Sequence, residues 1–155
     1  MPEPNAARTI RGEVIVDAPV AEVWAAWTTR QGIKSFFAPD CNIELRVDGP
    51  FEMFFLLDGE PGRRGGEGVR FLAIQPEKML SFTWNAPPHL PEARGQWTHV
   101  VLRFGEAGGG RTRLTLAHDG WGEGGEWDEA FAYFESAWLE IVLPNLVKRF
   151  SGGCA

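Results

Sequence analysis

The sequence predicts an α+β domain, a curved antiparallel sheet in the element order β-αα-β6-α wrapped around a long C-terminal helix. Three observations predict it. Six short segments rich in β-branched and aromatic residues succeed one another from Asn42 to His118, parted by Gly, Pro and Asp turns. Two short helical patterns stand between a first strand and those six. The chain then closes on a long stretch whose Trp and Phe recur every three or four residues, and only the sheet remains to cover that stripe.

Residues 1–8 read as a tail, 9–150 as one domain and 151–155 as a second tail. "TIRGEVIV", Thr9–Val16, is the first strand. In "DAPVAEVWAAWT" Asp17 is placed to cap a helix, Pro19 suits its first turn, and Val20, Val23, Trp24 and Trp27 share one face. Gly32 interrupts, and "IKSFFAP" is a second helix that stops near Pro39. "NIEL", "FEMFFLL", "VRFLAI", "MLSFTW", "QWTHVVLRF" and "RTRLTLAH" are the six strands, expected to form one antiparallel meander. The final helix carries the stripe Trp127, Phe131, Phe134, Trp138 and Val142, with Lys148 and Arg149 at the end where the helix dipole favours cations. Pro144 predicts a kink in it.

A meander sends alternate loops to the same end of the sheet. The short turns 46–50, 75–78 and 105–110 then share one end, and the longer loops 57–68, 85–95 and 119–126 share the other. An entrance to any interior cavity belongs at the long-loop end.

Composition narrows the function. The 155 residues are 44% hydrophobic and 23% charged, which is a globular composition. A formal charge of −6 repels nucleic-acid phosphates and anionic lipid, and no basic stripe reverses it. No apolar run reaches the length of a membrane span, and the Met-Pro-Glu-Pro-Asn start lacks the pattern of a signal peptide. Cys41 and Cys154 are the two cysteines and lie outside any CxxC, so two thiols in a reducing cytoplasm are expected rather than a disulfide.

Chemistry-bearing motifs are few. Gly120-Trp121-Gly122-Glu123-Gly124-Gly125 matches G-x-G-x-x-G between a strand and a helix. No parallel strand comes after it, and Glu126, Asp128 and Glu129 would repel a pyrophosphate, so it reads as a connector. Gly108-Gly109-Gly110 lacks a following Lys-Ser/Thr and reads as a strand turn. His89 falls in a proline-rich loop and reads as solvated; His99 points away from the face shared by Val100, Leu102 and Phe104. His118 falls on the inward face with Leu114 and Leu116, which makes it the histidine placed to see a cavity, although a lone strand-end histidine is more often structural. No spacing suits a metal, no GxSxG or Cys–His pair suits a nucleophile, and no cofactor is expected. No residue is assigned a catalytic role.

Seven Trp and eleven Phe stand against one Tyr. Any one ring fits a solid core; as a group they can line a pocket left between a curved sheet and a helix. Phe134 and Trp138 from the helix, with Phe71, Trp84 and His118 from the sheet, are the residues expected to line it.

"VDAPVAEVWAAWTT" resembles the opening of the START-like (SRPBCC) superfamily. "DGPFEM", "GVRFLAIQPEKMLSFTW", "TRLTLAHDGW" and the Trp with spaced aliphatics in the last helix narrow the resemblance to the family homologous to the activator of the ninety-kilodalton heat-shock protein's ATPase, over about residues 10–150. The resemblance implies a helix-grip fold, an incomplete antiparallel barrel around the last helix with an apolar tunnel between them. It implies members that bind lipids, hormones or polyketides, some that are cyclases or aromatases, and some that are stress proteins. The chain departs from the pattern at Asp48-Gly49-Pro50, where a double glycine is usual, and at Pro144. It is also expected to lack the extra domain with which the eukaryotic activator holds its chaperone.

Three readings result, in this order. The first is a non-enzymatic binder of a small hydrophobic or amphipathic ligand. The second is a partner-binding, co-chaperone-like stress regulator, with a protein partner or a homodimer as the assembly. The third is a cyclase- or aromatase-like enzyme using His118 or a carboxylate. Partners expected to be absent are nucleic acid and membrane.

Overall fold

The computed structural model describes residues 8–151, so Cys154 and most of both predicted tails lie outside the described residues. The order is β1 (Ile10–Val16), α1 (Val20–Thr28), α2 (Arg30–Phe36), β2 (Asp40–Ile43), β3 (Phe51–Phe54), β4 (Phe71–Gln75), β5 (Met79–Trp84), α3 (Pro91–Arg94), β6 (Thr98–Gly108), β7 (Arg111–Asp119) and a C-terminal helix. That helix runs as α4 (Gly125–Ser136), a π-helical segment Ala137–Val142, and α5 (Leu143–Ser151). The predicted β-αα-β6-α order holds, with the short α3 added inside the proline-rich loop.

The six-stranded meander needs correction. Strands β4 to β7 do pair in sequence, and β1 adds to β7, giving one antiparallel sheet of order β1-β7-β6-β5-β4. Strands β2 and β3 form a separate hairpin. Two isolated bridges, Pro50 with Arg70 and Phe54 with Gly65, join this hairpin to the segment that leads into β4. Gly65 and Gly68 between them hold positive φ, which bends the chain out of a continuous ladder. The predicted strand through Leu57 therefore stops at Phe54, and Leu56 and Leu57 are exposed.

Strand alternation sets the core. On β6, Val100, Leu102 and Phe104 face inward; on β7, Thr112, Leu114, Leu116 and His118 do so. From the other side Ala130, Phe134, Trp138, Val142, Leu143 and Leu146 of the C-terminal helix meet them. The helix crosses β1 so closely that a Cβ on Gly12 would lie 2.7 Å from Leu139 Cδ2 and 2.8 Å from Leu143 Cδ1. Trp127 and Phe131, at the start of the stripe, are half-buried around Trp121.

The helical details differ from expectation for local reasons. Asp17 makes no cap; Pro19 itself is the N-cap of α1, with extended backbone. The break between α1 and α2 falls at Thr29, whose hydroxyl accepts from the amide of Gly32 at 3.0 Å. Gly32 lies inside α2, where a Cβ would come within 2.4 Å of the Ala25 carbonyl and 2.5 Å of Ala26 Cα. It is there because the two helices touch. Pro144 comes just after a π turn, whose wider winding relieves the clash a proline ring makes with the carbonyl four residues earlier. Asp48 holds φ 65°, the left-handed conformation that Asp tolerates better than most side chains, so the turn usually made by two glycines is made by Asp48 and Gly49.

Candidate functional site

The long loops converge at one end, as the alternation of a meander predicts. Arg94, at the end of α3, reaches across to loop 57–68: it donates to the Gly62 carbonyl at 2.8 Å and pairs with Glu67 at 3.2 Å, while holding the Ala86 carbonyl at 2.7 Å. Burial lowers the pKa of this guanidinium, and the Glu67 carboxylate opposes that shift. Glu67 in turn accepts from the amides of Gly62, Arg64 and Gly65. From the third loop, Glu126 caps α3, accepting from the amides of Glu92 at 2.8 Å and Ala93 at 3.1 Å. The glycine-rich segment 120–125 is thus a connector with Glu126 turned toward protein, consistent with rejecting a dinucleotide fingerprint.

Between these loops and the C-terminal helix lies a half-open cleft of two lobes. The inner lobe, about 230 Å³, is lined by Phe37, Phe55, Trp84, Tyr133, Phe134, Ala137, Trp138, Ile141 and Val142. The outer lobe, about 210 Å³, shares Phe55, Trp84, Tyr133 and Phe134 and adds Leu56, Arg64, Asn85, His89, Arg94 and neighbouring Gly and Pro backbone. Of the side chains expected to line a pocket, Trp84, Phe134 and Trp138 do so. Phe71 does not: it stacks on Phe51 at 4.5 Å and pairs in register with Phe82, inside solid core. His118 does not either; it is fully buried behind Trp138 and Phe134.

The interior that a tunnel would occupy is largely filled by rings. Phe37 meets Trp27, Trp84 and Trp138 at centroid distances of 5.6, 6.0 and 5.6 Å. Trp84 meets Trp138 at 5.6 Å. His118 sits in the floor of this cluster. Trp138 Nε1 donates to His118 Nδ1 at 3.0 Å. An indole nitrogen can only donate, so Nδ1 carries the lone pair and Nε2 the proton. Nε2 then donates to Thr98 Oγ1 at 2.7 Å, and the Thr98 hydroxyl donates to the Trp84 carbonyl at 3.2 Å. The His118 carbonyl accepts from Trp121 Nε1 at 2.9 Å. Burial, with a smaller contribution from His99, pushes the imidazole pKa down from 6.5 to about 3. At neutral pH His118 is uncharged, and neither ring nitrogen is available to a guest.

The other histidines are peripheral. His99 lies 3.4 Å from Asp119 on the outer face. His89 is exposed at the edge of the outer lobe, 3.3 Å from Glu129 and with its ring 6.1 Å from Tyr133. Among the described residues no cluster of His, Cys, Asp or Glu is arranged to hold a metal, and no helix is long and apolar enough to cross a membrane.

Phe37, Phe55, Tyr133 and Ile141 are cleft residues that the sequence reading missed. For two of them the signal was present. Tyr133, Ala137 and Ile141 recur every four residues, forming a second apolar row beside Phe134, Trp138 and Val142. Phe37 and Phe55 carry no such signal, because only tertiary folding brings the end of α2 and the end of β3 to the helix.

Known proteins place this geometry. The profile of the family described as Activator of Hsp90 ATPase homolog 1-like protein matches residues 17–150. No curated protein matches the chain in sequence. Among solved structures, the Aha1 dimer from Colwellia psychrerythraea superposes with a TM-score of 0.69 at 19% identity, over 95% of this chain and 98% of that one. CalU16 from Micromonospora echinospora gives a TM-score of 0.68 at 25% identity, over 94% and 78%. An HSP90 activator from Plasmodium falciparum gives 0.66 at 14% identity, over 90% and 94%. The low-identity matches carry the helix-grip fold, and the profile covers nearly the whole described domain. The chain belongs to the family of Activator of Hsp90 ATPase homolog 1-like proteins.

Proposed function

We propose that this protein binds a small apolar or amphipathic molecule in the cleft between Trp84 and the C-terminal helix, without chemistry of its own. The observation that supports it is the rim. Phe55 is 41% exposed, Tyr133 48% and Ile141 55%, all around one concave apolar surface. Leaving such side chains hydrated forgoes roughly 25 cal/mol for each Å² of apolar surface that a guest would cover. The wall itself is rigid, since Trp84, Phe134 and Trp138 are buried and packed ring on ring. The proposed setting is a reducing cytoplasm, in keeping with the buried Cys41 thiol, whose pKa burial raises.

The test is displacement of a fluorescent apolar dye by a panel of fatty acids and aromatic polyketides. The proposal expects competition by at least one chemical class and loss of dye binding in Ile141→Asp. Failure of every compound to compete, with the dye itself unbound, would contradict it.

A second reading is a partner-binding regulator of the stress-response kind. It is favoured by Leu56 and Leu57, exposed to 56% and 52% beside the same rim, and by structural neighbours named as an Hsp90 activator and an Aha1 dimer. Leu57→Ser separates the two readings: a partner surface is weakened, whereas the cleft, which Leu57 does not line, keeps its guest. The cyclase-like reading called on His118 or a carboxylate; both ring nitrogens of His118 are engaged, and among the described residues no Asp or Glu lines the cleft.

A further inference from the structure

The outer lobe has a charge pattern unlike the rest of the molecule. The protein is acidic overall, at −6. Yet among the described residues no Asp or Glu lines either lobe, and the ionisable side chains that do, apart from Tyr133, are Arg64, His89 and Arg94. Two of these have carboxylate partners: Arg94 has Glu67, and His89 has Glu129. Arg64 is different. Its Nε donates to the Gly59 carbonyl at 2.9 Å, which fixes the guanidinium, but no carboxylate lies within 4.0 Å of it among the described residues. Trp84, shared by both lobes, has a buried indole N–H without an acceptor among the described residues. The cleft therefore pairs an apolar inner lobe with an outer lobe holding an unneutralised cation.

Size adds a constraint. Each lobe, at about 230 and 210 Å³, falls below the ~300 Å³ at which pockets for drug-sized ligands begin. A drug-sized guest would have to span both lobes, and its ends would then meet different chemistry. We infer that the guest is an amphipathic monocarboxylate, its hydrocarbon or aryl body between Trp84, Phe134 and Ile141 and its carboxylate on the guanidinium of Arg64. Arginine presents parallel N–H groups to a carboxylate in a fork, and at a partly buried site such a pair outcompetes hydration more effectively than on open surface. This inference rests on the cleft being the binding site, and the two can fail separately.

The experiment is calorimetric titration, at neutral pH, of octanoate and of octanol into the wild type, Arg64→Gln, Arg64→Lys and the control Arg63→Gln. The wild type is expected to bind octanoate about tenfold more tightly than octanol. Arg64→Gln should bring octanoate down to the octanol affinity and leave octanol unchanged, which also shows that the variant is folded. Arg64→Lys should keep part of the preference, and Arg63→Gln all of it. Equal binding of both probes by the wild type, or an Arg64→Gln variant that keeps the octanoate preference or weakens both probes alike, would overturn the carboxylate and leave the apolar cleft standing. Binding of neither probe by the wild type, with dye still bound and displaced by other apolar compounds, would overturn the inference alone. Binding of neither probe and of no dye would overturn both.

Discussion

Trp138 of the C-terminal helix donates its indole N–H to His118 Nδ1 of β7 across 3.0 Å, with both side chains fully buried. This one contact fixes the histidine tautomer, ties the helix to the sheet, and through Thr98 reaches the backbone of Trp84 at the wall of the cleft. The polar chain runs through an otherwise apolar ring cluster, so its loss is felt at both the core and the site.

Two substitutions separate its parts. Trp138→Ala removes ring and donor together and should cost about 3–5 kcal/mol. Trp138→Phe keeps most of the ring but strands a buried acceptor, and should cost about 1–3 kcal/mol. Denaturant midpoints at constant m-value check both; an unchanged midpoint in Trp138→Ala would mean that the helix face is wrongly assigned.

Stability should fall with acid over a window set by His118. Its folded pKa of about 3 lies below the ordinary value of 6.5, so the unfolded chain takes up the proton first. The stabilisation is complete above pH 6.5 and drains away as pH falls toward 3, at up to about 1.4 kcal/mol per pH unit. Asp40, its carboxyl held below 3.8 by the Cys41 amide and then by Arg30, adds a loss only at the acid end of this range. His118→Gln should be less stable at neutral pH yet flatter between about pH 6 and about pH 4. A wild-type profile with no slope there would contradict the buried neutral imidazole.

Gly32→Ala tests the contact of α1 with α2. The added Cβ meets backbone atoms of Ala25 and Ala26 at 2.4–2.6 Å, so a helix has to move rather than a side chain. On an isolated helix the change would stabilise by about 1 kcal/mol; here the sign should reverse, with a drop of about 1–3 kcal/mol. Thermal unfolding reads the sign directly.

Arg94→Gln tests the loop latch. The side chain holds Ala86, Gly62 and Glu67 together and is only 14% exposed. Its loss should cost about 2 kcal/mol and free loop 57–68, seen as faster limited proteolysis within that loop. Cutting at wild-type rate would mean that the loops hold themselves.

The legible part of the fold came from local periodicity. Val100, Leu102 and Phe104, then Leu114, Leu116 and His118, alternate cleanly, so each inward face could be read before any pairing was known. Three features were not legible. The separation of β2–β3 from the main sheet depends on where Gly65 and Gly68 turn the chain, not on strand propensity. The inward direction of His118 came from alternation, but not that Trp138 and Thr98 would occupy both nitrogens, since those partners are twenty residues away on either side. Phe71 and Trp84 looked alike as inward aromatics, yet Phe71 meets Phe51 while Trp84 meets the cleft. Core and wall differ only in what tertiary folding brings opposite.

The central claim is that the space beside Trp84 accepts a guest. Heteronuclear NMR of the indole N–H groups during titration with octanoate tests it most directly, because each tryptophan reports its own surroundings. The Trp84 and Trp138 signals should shift and saturate together while those of Trp24 and Trp97, outside the cleft lining, stay in place. Saturable shifts confined to Trp24 or Trp97, or no saturable shift at any indole with octanoate or any displacing compound, would contradict it.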